Sequence, residues 1–329
     1  MRILIVGAGS VGQLYGHMLQ RGGAEVDVFV RPRHTTDARR GYRLYDRREG
    51  LDEPTTFTPA GVRSAPGEIR GESYDAILLC VPATGLRGPW FEELAAAADD
   101  DATFVSLTPG PGDREYIARF VDEGRAAVGL ITALAYPAPL PGEEAAEPGT
   151  AYWLPPLTPA YFDGPESRLS PLVSTLRRGG MRARTRRNLA QLATAGTATL
   201  LPMVAVLETL DWSLDALRRS RAHRELLHRA TDEALEATSD HAGSRRPAVS
   251  RLLGPKSWRA LLRVAPLAPP FDLEAYLRVH FTKTRDQTQE ILREYVARRQ
   301  RMGRASPALE TLLDAGGARH AADDPPPRS

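Results

Sequence analysis

The sequence predicts an α/β fold in two parts: an N-terminal dinucleotide-binding domain built on a parallel sheet, then an all-helical C-terminal domain. Three observations predict it. Through residue 184, short apolar runs rich in β-formers alternate with stretches of helical spacing, the pattern of a parallel sheet covered on both faces. From Asn188 onward the periodicity is helical throughout. The chain opens on a run, RILIVGAGSVG, in which a strand enters a glycine turn and a helix follows directly. With 329 residues and 42% hydrophobic content, each part can bury its own core.

Taken in order, residues 2–6 form the first strand, 11–19 a helix, and 26–30 a second strand after Gly22 and Gly23, closing a βαβ unit. Further strands are expected at 76–81, 103–107 and 127–132, with helices at 90–97 and 115–121. The stretch 137–164 is rich in proline, glycine and glutamate, and its AYWLPPLTPAYFDG reads as a pair of short strands around a proline turn. A helix at 169–178 and a short segment to 184 complete a first domain over 1–184. The second domain, 185–318, carries helices at 189–207, 214–220, 224–238 and 258–264 and a long one over 273–301, which Gly303 and then Pro307 bring to a stop. The remainder, 319–329, is acidic and then proline-rich, and is expected to be a disordered tail.

Composition narrows the function classes. A formal charge of +2 with 26% charged residues argues against a nucleic-acid partner and suits a small-molecule substrate. Cys80 is the only cysteine, so no intramolecular disulfide forms and a reducing, cytoplasmic setting is the simple expectation. The apolar stretch 192–207 comes nearest to a membrane span, but Thr194, Thr197, Thr199 and Pro202 interrupt it and Glu208 follows, so it reads as a buried helix. Only Lys256 and Lys283 among the 43 basic residues are lysines. Lysine can give up its proton at a tuned site and arginine cannot, which singles these two out.

The turn itself points to a ligand. Gly7, Gly9 and Gly12 stand in G-x-G-x-x-G spacing. The first permits the tight turn, the second lets the backbone approach a pyrophosphate, and the third allows helix and strand to pack closely. The helix starting near Ser10 and Val11 then offers unpaired N–H groups to the phosphates. An acidic residue at the end of the second strand would hold the ribose diol of NAD, but that strand runs into Val30, Arg31, Pro32, Arg33 and His34. Arg31 lies roughly twenty residues beyond the turn, where a guanidinium can pair with the 2′-phosphate of NADP. The expected cofactor is therefore NADP, with Arg33 equally readable as an ordinary surface arginine.

The opening RILIVGAGSVGQLYGHMLQRGGAEVDVFVR and the closing HFTKTRDQTQEILREYVARRQRMGRASPALETLL, together with the order of domains, resemble the ketopantoate reductase (2-dehydropantoate 2-reductase) family. The resemblance implies an N-terminal Rossmann domain, a helical C-terminal domain, a substrate cleft between them, and reduction of a carbonyl by NADPH. It also implies where cofactor and substrate residues should fall. A family lysine after the fourth strand corresponds to Pro82, and an asparagine–glycine loop after the fifth corresponds to Pro109 and Gly110. The family's catalytic lysine and two following asparagines correspond to Asn188, Leu192 and Gly196, and its essential glutamate to Gln287. The chain thus resembles a divergent member of that family, one not expected to act on ketopantoate itself.

Chemistry must then come from other groups. His280, Lys283, Gln287 and Glu290 fall at helical spacing along one face of the long helix expected at 273–301. Lys283 or His280 could donate a proton, Gln287 occupies the family's catalytic position, and Asn188, Gln191 and Thr194 could hydrogen-bond a substrate, although Asn188 could equally cap its helix. The bland alternative is that the stripe is a solvated face. His223, His228 and His241 lack carboxylates at ligand spacing, so no metal is expected, and Tyr152 and Trp153 read as core or cleft-wall aromatics. Two functions are open. One is an NADPH-dependent reductase acting on a C=O or C=N bond of a small, anionic substrate; the other is an NADP-binding sensor or scaffold without redox turnover. The helical second domain also leaves room for a homodimer.

Overall fold

The computed structural model describes residues 1–107, 113–238 and 254–323. The chain divides into two compact units, Met1–Gln191 and Leu192–Ser329, so the division falls a few residues beyond position 184 and inside a helix. In chain order the first unit contains β1 (Arg2–Val6), α1 (Ser10–Arg21), β2 (Glu25–Phe29), α2 (Thr35–Arg40), β3 (Tyr42–Asp46), β4 (Thr55–Phe57), β5 (Gly61–Arg63) and β6 (Ala76–Leu79). There follow α3 (Ala83–Leu86), α4 (Pro89–Ala97), β7 (Thr103–Ser106), α5 (Asp113–Ile117), β8 (Ala126–Leu130), β9 (Leu134–Ala138), β10 (Gly149–Trp153), β11 (Ala160–Asp163), α6 (Glu166–Arg178) and β12 (Ala183–Thr185).

Eight strands form one sheet in the order β12-β11-β8-β7-β6-β1-β2-β5. All neighbours run parallel except β8 and β11. The central strands read as unbroken apolar runs because both faces are covered. On one face Ile3, Ile5, Val26 and Val28 pack with Leu14 and Met18 of α1 and Leu172 and Leu176 of α6. On the other, Leu4, Val6, Ile77 and Leu79 pack with Phe91 and Leu94 of α4 and Ile117 of α5. One charge is buried in this sheet: the carboxylate of Asp27, on β2, accepts hydrogen bonds from Arg2 (2.9 Å) and the Tyr74 hydroxyl (2.7 Å), with Arg63 at 3.5 Å.

A second sheet was not anticipated. It has the order β4-β3-β10-β9, with β3 and β10 parallel and the outer pairs antiparallel. The two strands expected around the proline turn do form, but they do not pair with each other. The first is β10, in the small sheet, and the second is β11, in the large one. Helix α1 packs against strands of both sheets, and Gln13 on its first turns accepts a hydrogen bond from Thr150 of β10 at 2.6 Å.

The second unit is helical among its described residues, with α7 (Leu189–Thr209) entering it and α8 (Leu214–Arg219), α9 (Arg221–Ala237), α10 (Pro255–Val264), α11 (Leu273–Thr282), α12 (Arg285–Arg301) and α13 (Pro307–Asp323) following. Helix α7 is, among the described residues, the one helix long and apolar enough to cross a membrane. Only 39% of its most apolar window is buried, so the expectation of a buried helix holds for its second half, where Leu201, Val204, Ala205, Val206 and Leu207 are enclosed, and not for its first turns. Helix α9 lies at the centre of the unit, against α10, α12 and α13. Its Glu233 accepts the N–H groups of Ala308 (3.2 Å) and Leu309 (2.9 Å), capping α13. Its Glu236 pairs with Arg299 and, at 3.1 Å, with Arg304.

Two expectations need correction here. The long helix is two helices, α11 and α12, separated by a corner at Lys283 and Thr284, where Thr284 leaves the helical region at φ −115° and ψ 20°. No glycine or proline marks the corner; flanking β-branched Thr282 and Thr284 are its only local signal. The helix that follows Gly303, itself at φ +70°, runs to Asp323, so residues 319–323 are helical where a disordered tail was expected. Residues 324–329 lie outside the described residues.

Candidate functional site

The glycine turn joins β1 to α1. Gly7 adopts φ +92°, and a Cβ there would stand 2.9 Å from the Cys80 carbonyl oxygen, so both its conformation and its neighbours demand glycine. At Gly12 a Cβ would stand 2.0 Å from the Gly7 carbonyl oxygen and 3.1 Å from the side chain of Ile5, which seats the first turn of α1 directly on the loop and strand before it. Gly9 differs from both. A Cβ there would meet nothing within 4 Å, and Gly9 is the N-cap of α1 with no side chain capping the helix. The N–H groups at that end have no capping side chain, and anions bind well at such ends.

A cavity of about 820 Å³ is lined at one end by Gly7, Ala8, Gly9 and Gln13. Pro82 and Gly85, at the start of α3 after β6, contribute another wall. Gln13 holds the loop in shape by donating to the Ala8 carbonyl at 2.8 Å. Arg31, at the end of β2, is exposed and lines the same cavity; its carbonyl accepts from His34 at 2.8 Å, fixing the tight turn over Pro32–His34. The structure thus brings together Gly7, Gly9, Arg31 and Pro82. Ser10, Val11 and Gly12 stand behind the lining as the first turn of the helix, Arg33 turns aside to donate to His34 at 3.1 Å, and Pro109 and Gly110 lie outside the described residues.

Several walls were not read from the sequence. Trp90, at the start of α4, stacks on Phe29 with ring centroids 6.4 Å apart and donates to the Gly85 carbonyl at 2.9 Å, giving the cavity a broad apolar side. Tyr42 closes another side, its hydroxyl pushed up to about 12 by burial and by Asp37. Asp37 and His34 also line the cavity. The strand end carries no carboxylate, but the chain supplies one from the first turn of α2, where Asp37 is 3.8 Å from Arg40. Cys80 lies in the wall with its thiol raised well above its ordinary range by burial, which leaves it protonated and unreactive.

The residues proposed for chemistry do not form one stripe. Lys283 ends α11 and is exposed, while Gln287 and Glu290 belong to α12. His280 stacks on Tyr276 at 5.6 Å and meets Phe281 edge-on at 4.8 Å. Part of its ring stays open to solvent, yet desolvation by this packing, and then the ammonium of Lys283, hold it below the ordinary histidine value. Asn188 is exposed in the left-handed region at φ +59°, and the first N–H of α7, from Leu189, goes to Asp163 at 2.9 Å. Gln191 is exposed beyond it. Tyr152 is buried in the small sheet. Among the described residues no group of histidine, cysteine or carboxylate side chains is arranged to hold a metal; His241 lies outside them.

Comparison with known proteins places this architecture. Residues 3–142 match the family described as ketopantoate reductase PanE/ApbA. A 2-dehydropantoate 2-reductase from Geobacter metallireducens superposes over 97% of this chain and 100% of its own, with a TM-score of 0.70 and 20% identity. A PanE/ApbA family ketopantoate reductase from Ralstonia eutropha does so over 98% and 99%, with a TM-score of 0.70 and 19% identity. D-mandelate dehydrogenase, solved with NADH and anilino(oxo)acetate, superposes over 98% and 99%, with a TM-score of 0.67 and 15% identity. These likenesses establish the fold over nearly the whole chain. No curated protein matches the sequence.

Proposed function

On the footing that the chain carries a ketopantoate reductase PanE/ApbA domain at residues 3–142, we propose that it is an NADPH-dependent oxidoreductase reducing the C=O or C=N bond of a small, anionic substrate. The observation that carries this reading is the open space at Gly9. The uncapped amino end of α1 borders it, and Arg31 lines the same cavity. A pyrophosphate on the free N–H groups and a 2′-phosphate on the Arg31 guanidinium use both features, and the face of Trp90 suits an aromatic base. Bound NADPH supplies the hydride.

The chain's own part in the reaction is to anchor the substrate and to hold a proton for the developing alkoxide or amine. Lys283, exposed at the end of α11, is our donor of choice, with Gln287 of α12 as a hydrogen-bond partner. Asn188, Leu192, Gly196 and Gln287 stand where the family resemblance implies lysine, asparagines and glutamate, so we do not propose 2-dehydropantoate as the substrate. A 2-oxo acid is favoured. The mandelate dehydrogenase of the same fold was solved with anilino(oxo)acetate, whose name describes an oxo group beside a carboxylate.

Asp37 in the cavity wall supports a second reading, in which the cofactor is NADH and this carboxylate accepts the ribose hydroxyls; the same mandelate dehydrogenase was solved with NADH. Titration calorimetry with both reduced dinucleotides separates the two. The first reading requires NADPH to bind at least about tenfold more tightly than NADH. Equal or weaker binding of NADPH overturns it, and NADH preference lost on Asp37→Asn replaces it with the second. Consumption of NADPH with a panel of 2-oxo acids and imines then tests turnover; tight binding without consumption by any of them removes the enzymatic reading.

A further inference from the structure

Strand β12 ends the large sheet, and its open edge carries an unusual concentration of charge. Between Glu166 and Glu208 the sequence has no acidic residue, and six arginines fall within 177–187: Arg177, Arg178, Arg182, Arg184, Arg186 and Arg187. The whole chain, these six included, has a net charge of only +2, so acidic residues outnumber basic ones over the rest of it, and many arginines there meet carboxylates, as Arg2, Arg63 and Arg299 do. Among the described residues none of the six near β12 has a carboxylate within ion-pair distance.

The geometry gathers Arg177, Arg182, Arg184 and Arg186 around a hollow. Parallel pairing sets Tyr161 of β11 opposite Arg184, so by the two-residue repeat of a strand Arg182, Arg184 and Arg186 share the face that Tyr161 presents. Arg186 lies over the Tyr161 ring at 5.3 Å. Arg177 reaches round from α6 and donates through Nε to the Ala183 carbonyl at 2.7 Å, which satisfies that group on the strand's free side and holds the guanidinium at the rim. Arg182 is held in the same way, through the Pro156 carbonyl. The result is a cavity of about 570 Å³ whose polar walls are Arg177, Arg182 and Arg184, beside Tyr161, with no carboxylate in its lining.

We propose that this cavity binds a small polyphosphate anion at a site distinct from the glycine turn. Guanidinium groups bind phosphoryl oxygens in pairs, and two of the three are already pinned by backbone carbonyls, so little side-chain freedom is lost on binding. Three adjacent cations, two of them held in place, favour a ligand with several linked phosphoryl groups over a single carboxylate. A bare polyphosphate and a nucleoside polyphosphate share this chemistry; Tyr161 and Arg186 provide a flat surface that only the second would use.

Calorimetry on the full chain with tripolyphosphate and, separately, ATP tests the site. Saturable binding near one ligand per chain is expected, weakening as salt is raised and falling about 100-fold in Arg182→Ser/Arg184→Ser. Arg184→Lys, which keeps the charge but loses the paired hydrogen bonds, should fall between the two, and Arg31→Ala should leave tripolyphosphate affinity unchanged. Tighter binding of ATP than of tripolyphosphate identifies a nucleoside ligand, and equal binding a bare chain. The proposal is overturned if neither compound binds, if Arg31→Ala abolishes binding while the double variant retains it, or if only long single-stranded RNA binds. Should the double variant fail to unfold cooperatively in a circular-dichroism melt, Arg184→Lys alone decides. The tripolyphosphate loss in Arg182→Ser/Arg184→Ser reads this site whether or not the glycine turn binds NADPH.

Discussion

Substituting Gly9 and Gly12 separately by alanine distinguishes a loop shaped for a ligand from one shaped only for folding. At Gly9 the new methyl enters space with no atom within 4 Å, and at φ −71° the backbone is already acceptable to alanine. Alanine is a poorer N-cap than glycine by several tenths of a kcal/mol, while the stiffer unfolded chain returns about 0.4–1 kcal/mol. The two offset, so the stability of Gly9→Ala should stay within about 1 kcal/mol of the parent, a few degrees in Tm at most. The methyl would nevertheless occupy the approach of a pyrophosphate to the helix end. Losing those hydrogen bonds to a charged group costs about 2–3 kcal/mol, or roughly 30- to 160-fold in Kd for NADPH. Gly12→Ala is the contrast: its methyl would lie 2.0 Å from a backbone oxygen, so it should lose both stability and binding. Scanning calorimetry gives the first quantity and titration calorimetry the second. A Gly9→Ala chain that is folded, equally stable and binds NADPH with parental affinity would refute a phosphate at this turn.

Other outcomes can be checked alongside. Arg31→Ala should weaken NADPH by about tenfold or more and leave NADH nearly unaffected, as competitive titrations of the two would show; equal losses for both would remove the 2′-phosphate from Arg31. Lys283→Ala should lower kcat by about 100-fold or more with NADPH affinity preserved once a substrate is identified, and an unchanged kcat would dismiss it as proton donor. His17 is buried and its imidazole is brought down to about 4, first by desolvation and then by Arg21. The unfolded chain therefore takes up a proton near pH 6.5 that the folded chain refuses until about pH 4, so stability present above pH 6.5 is lost as pH falls toward 4, by about 3 kcal/mol in all. Urea unfolding at pH 7 and pH 4.5 should show that loss in the parent and much less in His17→Gln; an identical loss in both would assign it elsewhere. Asp27→Ala strips a buried carboxylate from Arg2, Arg63 and Tyr74 and should cost about 3–5 kcal/mol in the same assay, whereas a loss under 1 kcal/mol would mean the cluster is well hydrated.

The large sheet was legible because its central strands are local apolar runs punctuated by glycines, and each run carries its own signal. The small sheet was not. Its strands come from 42–46, 55–57, 134–138 and 149–153, and β3 meets β10 about a hundred residues away in pairs such as Leu44 with Thr150, a relation no window of sequence contains. The corner at Lys283 and Thr284 escaped for a different reason: helical spacing continues across a bend that neither glycine nor proline announces. The glycine positions of the candidate site could be read because their spacing is itself a local signal, and at Gly7 and Gly12 backbone geometry and close neighbours admit no other residue. Trp90, Tyr42 and Asp37 could not, since each reaches the cavity from a different element and any of them would pass for a surface or core residue in its own segment.

Helix α1 is clamped from two sides, by the large sheet below and by β3, β4, β9 and β10 above, with Thr150 latched to Gln13. A helix resting on a single sheet can rock about its contact line. One held between two has no such freedom, so its amino end is aimed before any ligand arrives, and less ordering remains to be done on binding. The small sheet is by this account part of what makes the turn at Gly9 receptive.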